Sequence, residues 1–539
     1  MKKLLILTTF IILSFTVNAQ VLQDTLAQID RIFSFYQPQN PGCQLSISRN
    51  GVLIYSKAWG MADLEHKVPL TTTSVIEAGS VSKQFTAAAI LLLAQQGKLS
   101  IDDDIRKYLP EIPDYGQVIR IRHLLHHTSG LRDWGSIAYI ANWPRSTKTY
   151  SNDDVLYIVS RQKALNNKPG DEFIYSNSNF NLLALIVKRV TGMELAEFTR
   201  KYIFIPAGMT HTQWRDNFKR IVLNRAIAYD KIDTGYQTDM PNEYAYGNGG
   251  LLTTTEDLLK WNEFYWGGKL GNPSLLPQQI AVDHLNNGAV NPYGAGLFIS
   301  YRKGLDCINH NGATAGYRAY LSRYPQLNLS IAFLSNYSGS DFRPVTKVED
   351  LFITSRGVNN TPKVRTTASY NLSATQLNAF TGWYSNGKTG EGEKLTLKDD
   401  TLRTRNFKLQ PTGPSSFSVN DQRLVFTGKG FLFISPAADT TVYNAATTAG
   451  TSSDYLKAFT GKYYSSETES KCTIFIKNSK LVLHLGPVTD MELIPTYYSG
   501  FDNAHDSVSV YFQKGAAGTI TGFKVSVERA RNVEFIRTD

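Results

Sequence analysis

Apolar positions along this chain follow three patterns in turn: continuous, helical and alternating. The continuous run comes first, where Lys2 and Lys3 precede an apolar stretch from Leu4 to Phe15 and then Val17-Asn18-Ala19. A charged start, a short apolar core and a small-residue end predict a secretory signal peptide over 1–19, with Gln20 as the first mature residue. The alternative, an uncleaved anchor helix, needs ~20 apolar residues, more than this run offers. No later stretch is apolar enough to span a bilayer, so the mature chain is expected in the periplasm or secreted, with no transmembrane segment. Helical spacing follows, with Leu22, Leu26, Ile29, Ile32 and Phe33 on one face ahead of Pro38. Strands are then predicted over 43–49 and 52–58, flanking Asn50-Gly51, a pair suited to the positive φ angles of a tight hairpin.

The segment 80–96 is apolar nearly all round and stops at Gly97, which predicts a helix buried in a domain centre. Further helices are expected at 153–161, 178–191 and 255–266, and strand alternation returns at Leu329, Ile331 and Phe333. Strands at both ends with helices between predict an α+β domain over 20–356, of three-layer α/β/α type with an antiparallel sheet. Residues 357–374 are rich in Asn, Thr, Pro and Ser and read as a linker. Beyond them the chain repeats itself. Leu377-Asn378-Ala379-Phe380-Thr381-Gly382-Trp383-Tyr384 recurs as Leu456-Lys457-Ala458-Phe459-Thr460-Gly461-Lys462-Tyr463. Both copies alternate apolar and polar residues, so 375–445 and 452–539 are expected to be two small all-β units, separated by the Thr-rich stretch around 437–453.

Composition narrows the class. With 42% hydrophobic and 19% charged residues the chain is a folded globular protein, neither disordered nor a multi-span membrane protein. The formal charge of +10 falls to +8 without Lys2 and Lys3, and the basic residues are dispersed, so no nucleic-acid partner is expected. Cys43, Cys307 and Cys472 are too few for a disulfide framework and lack metal-ligand spacing, so they read as small buried hydrophobes. His123, His126 and His127 have no acidic residue at ligand spacing, and neither a metal nor a cofactor is expected.

The chain has no GxSxG elbow, HExxH or phosphate-binding loop. It has Ser80-Val81-Ser82-Lys83, which puts a hydroxyl and an amine one turn apart at the start of the buried helix, where backbone N–H groups favour a developing anion. A desolvated lysine can accept or relay the proton that a serine must lose to become a nucleophile. Tyr175-Ser176-Asn177 then precedes a helix, and His310-Asn311-Gly312 sits beside a strand-like run.

In this order the three motifs resemble the serine β-lactamase and penicillin-binding-protein superfamily, in particular its class C β-lactamase-like branch of esterases, D-peptidases and carboxypeptidases. The resemblance covers roughly 21–340 and includes Gly60-Met61-Ala62-Asp63-Leu64-Glu65, His126-His127-Thr128-Ser129-Gly130-Leu131, Gly249-Gly250-Leu251 and Leu334-Ser335-Asn336. The β repeats resemble the lipocalin-like additions often fused to such enzymes. The resemblance implies that Ser80 is acylated, that Lys83 is its partner and that Tyr175 shuttles the proton. It makes Asn177 orient Lys83 and the substrate amide, and the Ser80 and Ala313 backbone amides form the oxyanion hole. Asn311 and Gly312 would bind substrate. His126, His127 and the glycines at 249 and 250 are taken to shape loops. His310 stands where many members have lysine, and an imidazole near its ordinary pKa of ~6.5 is mostly neutral at pH 7. A substrate carboxylate would then be held weakly, and more firmly as His310 gains a proton towards pH 6. The expected activity is acyl transfer on a D-amino-acid peptide, amide or ester, possible substrates including peptidoglycan fragments. A β-lactamase and a non-turnover penicillin- or cell-wall-binding protein remain as alternatives. No motif residue lies beyond 336, so the repeats are expected to be dispensable for chemistry.

Overall fold

The structure, a computed structural model, describes residues 23–144, 148–353, 370–420, 422–435, 440–486, 489–503 and 508–539. The expected signal peptide and residues 357–369 of the expected linker lie outside the described residues. Those described fall into two compact units, the first drawn from 23–98, 191–281 and 294–353, the second from 99–190, 282–293 and 370–539.

The first unit is built on a six-stranded antiparallel sheet with the order Phe298–Arg302, Leu305–Thr314, Tyr317–Tyr324, Leu329–Ser335, Cys43–Arg49, Val52–Trp59. Asn50 (φ 52°) and Gly51 (φ 76°) make the hairpin turn that their positive φ angles favour. The strand Cys43–Arg49 pairs on one side with Val52–Trp59 and on the other with Leu329–Ser335, so the sequence ends of the domain meet at the sheet centre. Alternation sorts its side chains. Cys43, Leu45 and Ile47 join Ile29 and Phe33 of the helix over 23–33 and Val345 and Val348 of the helix Arg343–Phe352 in one apolar core. Gln44, Ser46 and Ser48 point to the opposite face, yet they too are buried. They meet a second helical layer through hydrogen bonds: Ser46 Oγ lies 2.7 Å from Thr255 Oγ1, and Ser48 donates to Glu263 on the helix Thr255–Trp266. Under that layer the helix Lys83–Gln95 packs Phe85 against Trp261, with ring centres 4.6 Å apart. Helices thus cover both faces of the sheet, as the three-layer expectation requires.

The second unit holds the helices Ile121–Leu125, Trp134–Ile140, Asn152–Ser160 and most of Asn177–Thr191, with both β repeats. The first repeat is an eight-stranded antiparallel sheet whose edges approach through an isolated Arg403–Lys408 bridge, and the second is a closed eight-stranded barrel. The shared sequence motif does the same work twice. Tyr384 donates its hydroxyl to the Phe380 carbonyl at 3.0 Å, and Tyr463 to the Phe459 carbonyl at 2.8 Å. Leu377 and Phe417 fill one core, while Leu456, Phe459, Phe512 and Phe523 are buried in the second repeat. The Thr-rich stretch is not all spacer: Thr440–Ala446 is the strand that pairs with Gly382–Asn386, because its β-branched and aromatic residues suit a pleated surface. All three cysteines are free and buried, as small hydrophobes are expected to be.

Within this unit the second repeat grips the helical part through Arg132, whose guanidinium meets Glu467 with both side chains almost fully buried. Arg132 also donates to Gln162 Oε1 and the Asn532 carbonyl, and Glu467 accepts from the Lys163 and Glu534 amides. Removing one member of a buried pair strands its partner's charge. Glu467→Ala should therefore destabilise the protein by ~3–5 kcal/mol, whereas Arg132→Met with Glu467→Leu should cost clearly less. Denaturant midpoints of the three proteins check this.

Candidate active site

In the first unit the chain passes from the short strand Ile76–Glu77 through Gly79 (φ 48°) into a 3₁₀ turn, Gly79–Ser82, before the α-helix begins at Lys83. Ser80 therefore stands in the turn ahead of the helix, not in the first α-helical turn expected from the sequence. The left-handed backbone at Gly79 sets this geometry. The turn is pinned on both sides, by the Ala78 amide on the Leu251 carbonyl at 2.8 Å and by Ser82 Oγ accepting from the Leu251 amide at 3.1 Å.

Facing the turn is the strand Leu305–Thr314. Its pairing with Phe298–Arg302 ends at Asn309, so among the described residues the edge from His310 onward has no strand partner on that side. The two backbones come close enough to exclude side chains: a Cβ on Gly312 would lie 2.1 Å from the Ala78 carbonyl oxygen, and one on Gly79 2.7 Å from the Ala313 nitrogen. Glycine at both positions is thus a steric requirement, and it puts the Ser80 and Ala313 amides on facing segments.

Lys83 is completely buried, and its Nζ donates to Ser80 Oγ at 3.0 Å and to the Asn248 carbonyl at 2.6 Å. Asn248 was not among the residues singled out in the sequence. Its signal was the run Gly247-Asn248-Gly249-Gly250, where Gly247 (φ 102°) and Gly250 (φ 90°) let the loop turn a carbonyl inward. Thr86 Oγ1 holds the neighbouring Gly247 carbonyl at 2.8 Å.

His310 is buried against Phe298, with Nδ1 2.6 Å from the Asn311 carbonyl oxygen. A carbonyl only accepts, so Nδ1 carries the proton and Nε2 presents a lone pair. Burial, and then the Lys83 charge, push the His310 pKa down to about 3, against a smaller opposing pull from the Asn311 hydrogen bond. The imidazole is therefore neutral at physiological pH, and the expectation that it gains a proton near pH 6 is corrected: a desolvated site beside a cation disfavours that proton. Asn311 and Ala313 are exposed, and Gly312 is buried.

Tyr175 and Asn177 belong to the second unit. Asn177 opens the helix Asn177–Thr191, one residue earlier than expected, and its amide donates to Asp133 Oδ2 at 2.7 Å. Asp133 Oδ1 caps the helix Trp134–Ile140 through the Ser136 amide. One carboxylate thus fixes two helix starts. The Tyr175 ring packs at a tilt of 37° against His127 with ring centres 4.2 Å apart, and His127 Nδ1 accepts from the Ser176 amide at 3.2 Å. His127 is fully buried at φ 57°, which supports the loop-shaping role read for it. His123 Nδ1 accepts from the Arg120 amide and His126 Nδ1 contacts the Tyr293 carbonyl, so these nitrogens serve the backbone. Among the described residues the group with metal-ligand spacing is Asp63, Glu65 and His66, part exposed, in which His66 pairs with Asp63.

Residues 20–353 match the Beta-lactamase family, and the chain belongs to it. Penicillin-binding protein 4* of Bacillus subtilis strain 168 is 30% identical over 312 residues, 54% of this chain and 66% of that protein. The chain thus covers just under two thirds of that relative's length. A D-aminopeptidase of Brucella anthropi is 23% identical over 533 residues, which are 93% of this chain and 96% of the relative. The crystal structure of D-amino acid amidase from Ochrobactrum anthropi SV3 complexed with D-phenylalanine is similar in fold. Its TM-score is 0.52 at 22% identity, over 61% of this chain and 98% of that one.

Two outcomes follow from the geometry. Gly312→Ala should lower the acylation rate expected of Ser80 by ~10²–10³, the value of one donor of the expected oxyanion hole, because the added methyl must part the two backbones; stopped-flow acylation by an activated ester checks this. The His310 ring protons should not titrate between pH 8 and 5 in NMR spectra. Because the folded pKa is depressed, the stability His310 contributes is fully present above ~6.5 and is lost as pH falls from there towards 3. His310→Asn should flatten that part of the stability profile.

Proposed function

We propose that the chain is a serine hydrolase of the periplasm or exterior that works through an acyl-enzyme on D-amino-acid peptide, amide or ester bonds. Residues 20–356 form the hydrolase domain in this reading, with 375–445 and 452–539 as appended β units. The observation that carries it is the fully buried Lys83 amine 3.0 Å from Ser80 Oγ. Ser80 attacks the acyl carbon. Its proton passes to the phenolate of Tyr175 while the Lys83 ammonium holds the serine oxygen by hydrogen bond, and the leaving amine or alcohol takes that proton from Tyr175 as it departs. The Ser80 and Ala313 amides receive the oxyanion, Asn177 orients the substrate amide, and a water then cleaves the acyl-enzyme. The likeness to a D-aminopeptidase over nearly the whole chain, repeats included, supports a D-amino-acid substrate. The neutral His310 supports substrates that need no fixed cation for a carboxylate beside the scissile bond.

Wild type and Ser80→Ala, incubated with a fluorophosphonate and with a fluorescent penicillin and followed by intact mass, test the reading. Wild type should gain one adduct at Ser80, and Ser80→Ala none. Hydrolysis of D-amino-acid amides should exceed that of benzylpenicillin and of the L-amides. An adduct on Ser80→Ala, or a preference for the L-series, overturns it. Selectivity between a matched acid and its methyl ester should stay constant from pH 8 to 5.

A further inference from the structure

The sequence assigns the C-terminal repeats no chemical task, but the second repeat reaches the residues around Tyr175. Its last hairpin, Ile520–Val527 with Ala530–Arg537, turns at Glu528 and Arg529. The Arg529 carbonyl accepts from the Asp133 amide and from Asn166 Nδ2, each at 3.0 Å. Asn166 Oδ1 accepts from the Arg531 amide at 2.8 Å, so one asparagine holds both arms of the turn. Asp133 is the residue whose side chain caps Asn177, and the Arg531 guanidinium pairs with Glu172 at 2.9 Å, three residues before Tyr175. Lys388 of the first repeat pairs with the other Glu172 oxygen at 2.6 Å. The hairpin tip is thereby tied by backbone and ion-pair contacts to both sides of the Tyr175 segment. From that anchorage the Arg529 guanidinium carbon stands 5.1 Å from the centre of the Tyr175 ring.

Within this unit the charged and titratable groups in contact with the Tyr175 ring include His127, Tyr293 and Arg529. His127 accepts an amide N–H at Nδ1, so it is neutral. Burial, and the charge on Tyr175 when it ionises, hold Tyr293 in its phenol form. Glu528 lies 3.6 Å from Arg529 Nε but is four-fifths exposed, so solvent screens it. Of these three groups Arg529 is the one that carries a positive charge, in a chain whose third motif carries a neutral histidine.

We propose that Arg529, supplied by the second β repeat, is a positioning residue that favours the phenolate of Tyr175 and so sets the pH range in which the hydrolase works. A cation over an aromatic face is attracted by the ring, and far more strongly once the ring carries the phenolate charge, so its presence draws the phenol proton off. The appended repeat thereby acts on the chemistry, contrary to the expectation that it is dispensable. This inference rests on the reading of Tyr175 as proton carrier.

The test uses the full chain and an uncharged ester, for which Arg529 has no carboxylate to bind. In Arg529→Gln the acid limb of the kcat/KM profile should move up by about one pH unit, with the rate about tenfold lower at pH 7 and near wild type at high pH. Arg529→Lys keeps the charge and should restore most of the shift. The anchoring hydrogen bonds use the residue-529 carbonyl, so both variants keep them, and thermal melts should stay close to wild type. A uniform loss at every pH, an unmoved profile, or an effect confined to KM for a carboxylate-bearing substrate overturns the proposal. Ser80→Ala and Tyr175→Phe separate the two failures. If both are inactive while the Arg529→Gln profile is unmoved, only the role of Arg529 falls; if Tyr175→Phe has the wild-type rate, the reading of Tyr175 falls with it.

Discussion

A lysine ammonium with no exposure to water is the constraint on which the rest of this structure turns. Burying such a group costs several kcal/mol unless acceptors are arranged around it, and Lys83 has the Ser80 hydroxyl and the Asn248 carbonyl among its partners. Each of those partners needs its own support. Asn248 can turn its carbonyl inward because Gly247 before it and Gly250 two residues after it adopt positive φ, and Thr86 fastens the loop one residue earlier. Ser80 keeps its place because Gly79 is left-handed and the turn is pinned to Leu251. The same Lys83 charge also acts on His310, adding to the burial that keeps that imidazole neutral.

The second unit solves a different problem. Tyr175 lies on an irregular segment, and irregular backbone needs outside partners for its polar groups. The helix starts at Asp133 and Asn177 provide one set, His127 provides another, and the β repeats provide a third through Arg529, Arg531 and Lys388. Two cations converge on Glu172. Although burial works against its charged form, hydrogen bonding to Lys388 and the charge of Arg531 hold its carboxyl below the usual range. The repeats are therefore structural partners of the segment that carries a candidate catalytic tyrosine.

The local periodicities were legible in the chain alone. The strand Cys43–Arg49, the helix Thr255–Trp266 and the Asn50-Gly51 turn occur as read, because period and turn chemistry act over a few residues. The three motifs were legible too, since a hydroxyl, an amine and a phenol at fixed spacing are visible as letters. The burial of the first strand's polar positions was not legible in this way. Gln44, Ser46 and Ser48 alternate as a solvent face would, yet a second helical layer covers them, and only long-range packing reveals it.

Sequence by itself determined the class of fold, the repeat and the groups available for acyl transfer, since each is set by residue type and short-range spacing. Tertiary structure decided what those groups are like. The neutral state of His310 comes from its burial and the Lys83 charge, and the inward carbonyl of Asn248 comes from a loop 165 residues away from Lys83. The placement of Arg529 over Tyr175 joins residues whose numbers differ by several hundred. Desolvation and Coulomb interactions depend on distance in space, and no pattern along the chain encodes that distance.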